Sequence, residues 1–526
     1  MADKIKFLLA LGAWIFLGLL LYVRIFHAPF LFDDEILIVH NPNVQDLAHG
    51  FDSIKNIFTY QHSRLLTNLT VALNFHFGHF DTFGYHIVNW LLHIGVTGGV
   101  WYLTRMIMRY KKIESSVDIA FWASLLFLVH PLHTESVSYI NHRSSVLVTL
   151  FYIWSLIFYL KARTANAARQ GWVYFGLASI CALLSLLSKE SGWTLPLAWV
   201  AGDMLLLNRT PKKEVWLSLA VILCVAAAIF DFRIKETLLV QVYSQSHRGD
   251  YLTIGTYLLS QLRVCVVFLK LMVFPVGLNA DYDFPMSHSL MEPQTAGAFI
   301  FLALLCAGAY AWRHRCWYWT WCVALFYITL LSHFFPVRYN VIAEHKLYLT
   351  LALLTPVIAL WLLDRFKDRV VMIMAIMIAI FALLTVERNE IWASPVKLWM
   401  DTCARSPQKP RPHLNLASAL LAKGQVAEAE QIFFSVIKVA PEYCESYINL
   451  AQIETGRGHL EKALMYSNQA IQVNPGFDIA NLQNGFLNDH MGHAQDAIKR
   501  FQFWLSIHPN DITIINRIKF LESQKF

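Results

Sequence analysis

Long apolar runs separated by short basic stretches constrain this chain more than any other feature. The first, "IKFLLALGAWIFLGLLLYVRIF", holds about 20 residues, enough to cross a hydrocarbon core of ~30 Å. It begins with lysines and lacks a small-residue cleavage site, so it reads as a retained anchor rather than a removed signal peptide. Similar runs follow, and the predicted spans are 7–26, 86–104, 118–137, 145–160, 171–187, 192–207, 214–232, 294–312, 317–332, 347–363 and 370–386. That is about eleven crossings of an all-α, polytopic membrane core. With 56% hydrophobic and only 15% charged residues, the 526-residue chain is too apolar for a soluble protein.

The net charge of +7 encodes orientation rather than nucleic-acid binding. Its cations cluster between the runs, at Arg105–Lys112, Lys161–Arg169, Arg209–Lys213, Arg313–Arg315 and Arg365–Arg369. Short basic loops mark the cytoplasmic side, which puts the amino terminus inside and the carboxyl terminus outside. One run, 254–277, breaks the alternation and carries Arg263 and Lys270. It is read as a helix lying on the outer face, or dipping in and back. Six of the eight cysteines lie in or beside apolar runs without ligand spacing and read as small hydrophobes. Cys403 and Cys444 lie in the C-terminal part, where nothing in the spacing supports a disulfide.

After residue 386 the pattern changes. Pro407, Pro441, Pro475 and Pro509 recur every 34 residues, and Gly424, Gly458, Gly492 and Ala429, Ala463, Ala497 keep that period. This is the tetratricopeptide signature, an α-solenoid of paired helices. The domains expected are a transmembrane core over 1–390, a linker over 391–406, and three repeats plus a capping helix over 407–526.

The predicted topology gathers the unusual polar residues on one face. Asp33, Asp34 and Glu35 follow the first span. "VHPLHTESVSYINHR" (129–143), "LLSKESGW" (186–193) and "HFFPVRYNVIAEHKLYL" (333–349) occupy other outer turns. In the second span His86, Asn89 and His93 share a helix face, which must look into protein or a wet cavity. Each piece has a plain alternative: solvated loop acids, an ion pair closing a hairpin, interhelical glue. "HPLHTE" has the look of a metal box, but a proline separates its ligands and no geometry is fixed by sequence. Their concentration on one face favours a site.

Such a site suits sugar transfer from a lipid-linked phosphate. A carboxylate can take the proton of an acceptor hydroxyl, while lysine and histidine neutralise the departing phosphate. Nucleotide sugars are cytosolic, so an outward site calls for a polyprenyl-phosphate-linked donor. "FLFDDEIL" reads as extended or turn-like; a turn would overturn any alternation, whereas if it is extended, neighbouring acids alternate. Asp34 is then preferred as the base, with Asp33 and Glu35 on the other side.

The segments "FDDEILIVHNPNVQ", "RLLTNLTVALNFHFGHFDTFGYHIVNWLLH", "VHPLHTESVSYINHRSS", "LLSKESG" and "FFPVRYNVIAEHKLYL", followed by the repeats, resemble the membrane O-mannosyltransferases of the cadherin-modifying type and their bacterial relatives. The resemblance implies a GT-C glycosyltransferase core, a polyprenyl-phosphate donor and a protein acceptor held by the repeats. Asp33 and Asp34 match the family's acidic pair. His130, His133 and Glu135 match its HPxHTE segment, and Lys189 with Glu190 its SKE. Glu344 matches the acid of its AER segment, where His345 and then Lys346 stand in place of Arg. Arg64, followed here by Leu65 instead of Pro, Arg143, His86, Asn89 and His93 complete the expected donor-phosphate and substrate contacts. These motifs specify no cofactor, and a divalent metal, Mg or Mn, is left open. The expected home is a bacterial inner membrane with the repeats in the periplasm, among membrane lipids. The alternatives are a lipid or polysaccharide acceptor, or a non-catalytic scaffold for export or pilus assembly.

Overall fold

The computed structural model describes residues 2–45, 64–213, 215–216, 220, 253–334 and 340–523. Among them there is no strand; the chain is helical and divides into two compact units, Met1–Lys397 and Leu398–Phe526.

In the first unit the helices that build the bundle are α1 (Ala2–Tyr22), α2 (Leu65–Gly78), α3 (Thr82–Lys111), α4 (Ile119–Leu128), α5 (Arg143–Thr164) and α6 (Ala168–Ser188). They continue with α7 (Leu195–Ala201), α8 (Ile254–Val273), α9 (Pro293–Ala311), α10 (Trp317–Leu330), α11 (Tyr348–Phe366) and α12 (Val370–Trp392). Among the described residues, six helical segments, including those containing α1, α5 and α6, are long and apolar enough to cross a membrane. Apolar side chains such as Leu8, Leu9, Phe16, Trp172 and Leu304 point outward from them, as lipid-facing residues must.

Two expected spans are shorter than the sequence suggested. The run 118–137 stops being α-helical at Leu128, because Pro131 opens a 3-10 turn and the polar segment behind it folds as short turns. The run 192–207 becomes α7 followed by a π turn over Gly202–Leu206. That turn surrounds buried Asp203, which accepts from Tyr159 Oη and Arg163 Nε. The expected span 214–232 lies outside the residues described.

Pairings at the helix ends define two ends of the bundle. Arg105 faces Asp118, Tyr110 donates to Leu207 O, and Lys111 lies over the Trp317 ring, so the basic loops gather at one end. The polar segments gather at the other. Between them, α3 and α5 approach so closely at Gly99 that a Cβ there would lie 2.7 Å from Ile153 Cγ2.

Helix α8 has the length of a span, but its contacts run along the polar end. Tyr257 Oη donates to His333 O, Gln261 Nε2 donates to Val341 O, and His130 Nε2 pairs with Met272 O. Tyr257 and Met272 are ~22 Å apart along a helix axis. A crossing helix would carry one of those residues to the basic end; α8 keeps both at the polar end.

Among its described residues the second unit begins within the helix Pro395–Arg405 and continues with three helical pairs and a final helix. The pairs are Pro410–Ala422 with Val426–Val439, Cys444–Gly456 with Leu460–Val473, and Asp478–His490 with Ala494–Ile507; Ile512–Ser523 closes the unit. The 34-residue period has a direct backbone cause. Gly424, Gly458 and Gly492 each adopt φ +79°. The residue after each donates its N–H back into the preceding helix, to Leu420 O, Glu454 O and Asn488 O. Ala429, Ala463 and Ala497 are fully buried where the paired helices meet. The third copy replaces a repeat leucine with Asn484, which is buried and bonded to Asn468 and Asn488. Cys403 and Cys444 are both free thiols.

Candidate active site

The acids that follow the first span, Asp33, Asp34 and Glu35, do not lie on an extended strand. Phe32 takes φ +56°, Asp34 N donates to Leu31 O, and a π-helical turn over Glu35–Val39 follows. The expected alternation is therefore replaced by a turn, and the acids separate for a different reason. Asp34 is 1% exposed, and its two oxygens accept from Leu31 N at 3.0 Å and Asn141 N at 2.9 Å. It clamps the loop to the 139–142 segment. Asp33 and Glu35 are exposed on the surface, and Asp33 N donates to Tyr139 Oη.

Burial pushes the Asp34 carboxyl up to about 8, against the pull of its two backbone donors. Its proton is then held more tightly in the folded chain than in the unfolded one. Between 3.8 and about 8 the folded state binds the extra proton, so stability falls as pH rises through that window. The slope is at most ~1.4 kcal/mol per pH unit. We expect Asp34→Asn to flatten this slope, measured as the thermal midpoint across the same pH range. An unchanged slope would show that Asp34 is not the group responsible.

Beyond that clamp, Glu135 is the centre of the polar end. It is buried on the short helix Thr134–Ser138 and is met by a 3-10 turn, Glu344–Leu347, from 210 residues away. Glu135 Oε2 accepts from His345 N at 2.9 Å. Glu135 Oε1 lies 2.8 Å from His345 Nδ1 and 3.3 Å from His142 Nδ1. Next to it, buried Glu344 accepts from Asn279 N and Tyr282 Oη. Burial raises the Glu344 carboxyl, the charge of Glu135 adds to that, and Arg388 opposes it.

His345 also lines a narrow cleft, of volume about 10 Å³, with Ser145, Val148, Lys189, Ser191, His333, Lys346 and Leu349. Lys189 Nζ donates to Ser145 Oγ at 2.8 Å, and Lys346 Nζ donates to Val341 O at 3.0 Å. Two buried ammonium groups and two imidazoles line this one cleft and make it basic. Glu190, one residue on from Lys189, faces Arg64 at 3.4 Å.

The other expected residues go elsewhere. His130 spends one nitrogen on Met272 O and the other on Leu132 N, and burial lowers its imidazole to about 4. His133 packs its ring against Phe127, His93 and Tyr348, and burial holds it well below the usual range. The helical stripe is interhelical glue facing protein. His86 bonds Ala28 O, Asn89 accepts from Arg143 Nε, and His93 joins Tyr348 Oη and Leu128 O. Arg143 is buried, with Thr70 O and Tyr85 O as its remaining acceptors. These residues tie α2, α3, α5 and α11 together.

Sequence reasoning missed His142, Ser145, Ser191, His333, Tyr282 and Arg388. His142 lay within the same polar segment as Glu135, and its seven-residue spacing from that acid was the available signal. Tyr282 and Arg388 carried none, because nothing local ties them to Glu344.

No protein-family model matches the chain. It is 26% identical over 451 residues to the protein O-mannosyl-transferase F38B6.6 of Caenorhabditis elegans, covering 81% of this chain and 62% of that protein. It is 33% identical over 213 residues to protein O-mannosyl-transferase TMTC2 of Mus musculus, covering 38% of this chain and 24% of that one. With protein O-mannosyl-transferase TMTC3 of Homo sapiens it shares 23% identity over 567 residues, covering 87% of this chain and 60% of the relative. The chain thus spans less than two thirds of the length of each of these relatives. Its homologues are protein O-mannosyl-transferases, the group its polar motifs and repeats resemble.

Proposed function

We propose that this chain is a membrane glycosyltransferase of the GT-C type. It moves a sugar from a polyprenyl-phosphate donor to a Ser or Thr hydroxyl of a protein, at the periplasmic face of a bacterial inner membrane. The observation that carries this reading is the cleft of Lys189, Lys346, His333 and His345, which joins the Glu135 cluster at the polar end of the bundle. The named relatives support the protein acceptor, and the repeats supply a helical surface on which a polypeptide can be held.

In the reaction the acceptor oxygen attacks the anomeric carbon as the bond from that carbon to the phosphate oxygen breaks. The developing phosphate charge falls to Lys189 and Lys346, which are already held in place by Ser145 Oγ and Val341 O. The hydroxyl proton goes to a carboxylate of the first loop. Asp33 takes that role, because it is exposed to an incoming acceptor while Asp34 is buried. Asp34 is the positioning residue that fixes the loop against residues 139–142.

Donor choice tests this reading. Purified chain in detergent should transfer sugar from a polyprenyl-phosphate hexose and not from the matching nucleotide sugar. Equal use of the nucleotide sugar would remove the lipid-phosphate donor from the account.

A further inference from the structure

We propose that Glu135, His142 and His345 form a binding site for a divalent transition metal of the zinc type. The three residues come from three separate turns: the short helix Thr134–Ser138, the 3-10 turn Ile140–His142 and the 3-10 turn Glu344–Leu347. Each offers one donor atom, and the three atoms lie within 4.8 Å of one another. Ligands around a tetrahedral zinc at ~2.0–2.2 Å stand about 3.3 Å apart, so the cluster is already near the size of a coordination shell.

Two details separate this arrangement from an ordinary hydrogen-bonded trio. The His142 and His345 rings lie with centroids 3.9 Å apart, both turning Nδ1 toward the same oxygen, Glu135 Oε1. His345 makes a hydrogen bond there, whereas the buried His142 Nδ1 makes none. A buried imidazole nitrogen without a partner is costly. A metal ion between the three atoms would give it one. Meanwhile the His345 backbone N–H holds Glu135 Oε2, which orients the carboxylate with Oε1 toward the rings.

The donor set decides the class of ion. Two imidazole nitrogens and one carboxylate oxygen suit zinc and its neighbours, while magnesium prefers oxygen ligands and retains water. Three protein ligands leave a fourth position, which water or a phosphate oxygen from the adjoining cleft can take, since His345 lines both. The site uses His345, which stands where the motif resemblance expects Arg. An arginine there would pair with Glu135 but could not ligate.

The test needs no transfer activity, so it stands or falls apart from the proposed reaction. Wild type, His142→Gln and His345→Arg are purified, stripped with a chelator, reloaded with ZnCl2 or MgCl2, desalted and measured for metal content. His345→Arg keeps a cation beside Glu135 and so guards against simple loss of folding. We expect about one zinc per wild-type chain, no retained magnesium, and loss of zinc from both variants. Zinc should also raise the thermal midpoint of the wild type alone. Zinc content no higher in wild type than in the variants, or retention of magnesium instead of zinc, would overturn the proposal.

Discussion

Asp33→Asn should lower the rate of sugar transfer by roughly 10²–10⁴-fold, the usual worth of a positioned general base. The substitution keeps the shape of an exposed side chain, so the thermal midpoint should stay near that of wild type. Because donor binding does not need the base, the loss should fall on turnover rather than on donor affinity. Asp34→Asn gives a different pattern. Asn offers one acceptor oxygen where Asp34 offers two, so one of the Leu31 and Asn141 amides loses its partner. That change should show in the pH dependence of stability as well as in rate. Single-turnover transfer beside thermal melts separates the two residues. Should Asp33→Asn remain within about threefold of wild type while Asp34→Asn loses the rate at unchanged stability, the roles assigned to the pair are reversed.

The second large effect falls on the cleft. Lys189→Ala should cost roughly 10²–10³-fold in turnover, comparable to deleting one preorganised donor at a developing anion. Lys189 is buried and bonded to Ser145 Oγ, so its ammonium is fixed before the phosphate arrives. Replacing it also leaves Ser145 without that donor, so Lys189→Met, which keeps much of the side-chain volume, is the companion variant. If both variants lose rate by the same factor, charge rather than packing is responsible. Wild-type rates in both would mean that the donor phosphate binds elsewhere.

Much of the architecture could be read from the chain because its causes are local. The recurring Gly424, Gly458 and Gly492 require a left-handed turn, and each has one at φ +79°. The face of His86, Asn89 and His93 was marked as buried by its spacing alone, and all three residues are buried. Their partners were not legible, since Ala28, Arg143 and Tyr348 approach from other helices. The stretch around Phe32 reads as extended or turn-like, and the positive φ that makes it a turn leaves no mark in the sequence at a phenylalanine. The same limit hid the junction of Glu135 with His345, which depends on packing across 210 residues. Within "HPLHTE" the histidines and the acid look like one unit. The turn begun by Pro131 sends His130 toward α8, His133 into an aromatic cluster and Glu135 toward His142 and His345.

The most direct test of the central claim is the intact mass of acceptor proteins in the cell envelope. Cells lacking the gene are complemented with wild type or with Asp33→Asn, and the envelope proteins are compared by mass spectrometry. A protein that gains the mass of one or more hexoses on Ser or Thr with wild type, and not with Asp33→Asn, is the result this account predicts. Identical protein masses in the two strains, with the change confined to lipids or polysaccharide, would contradict it.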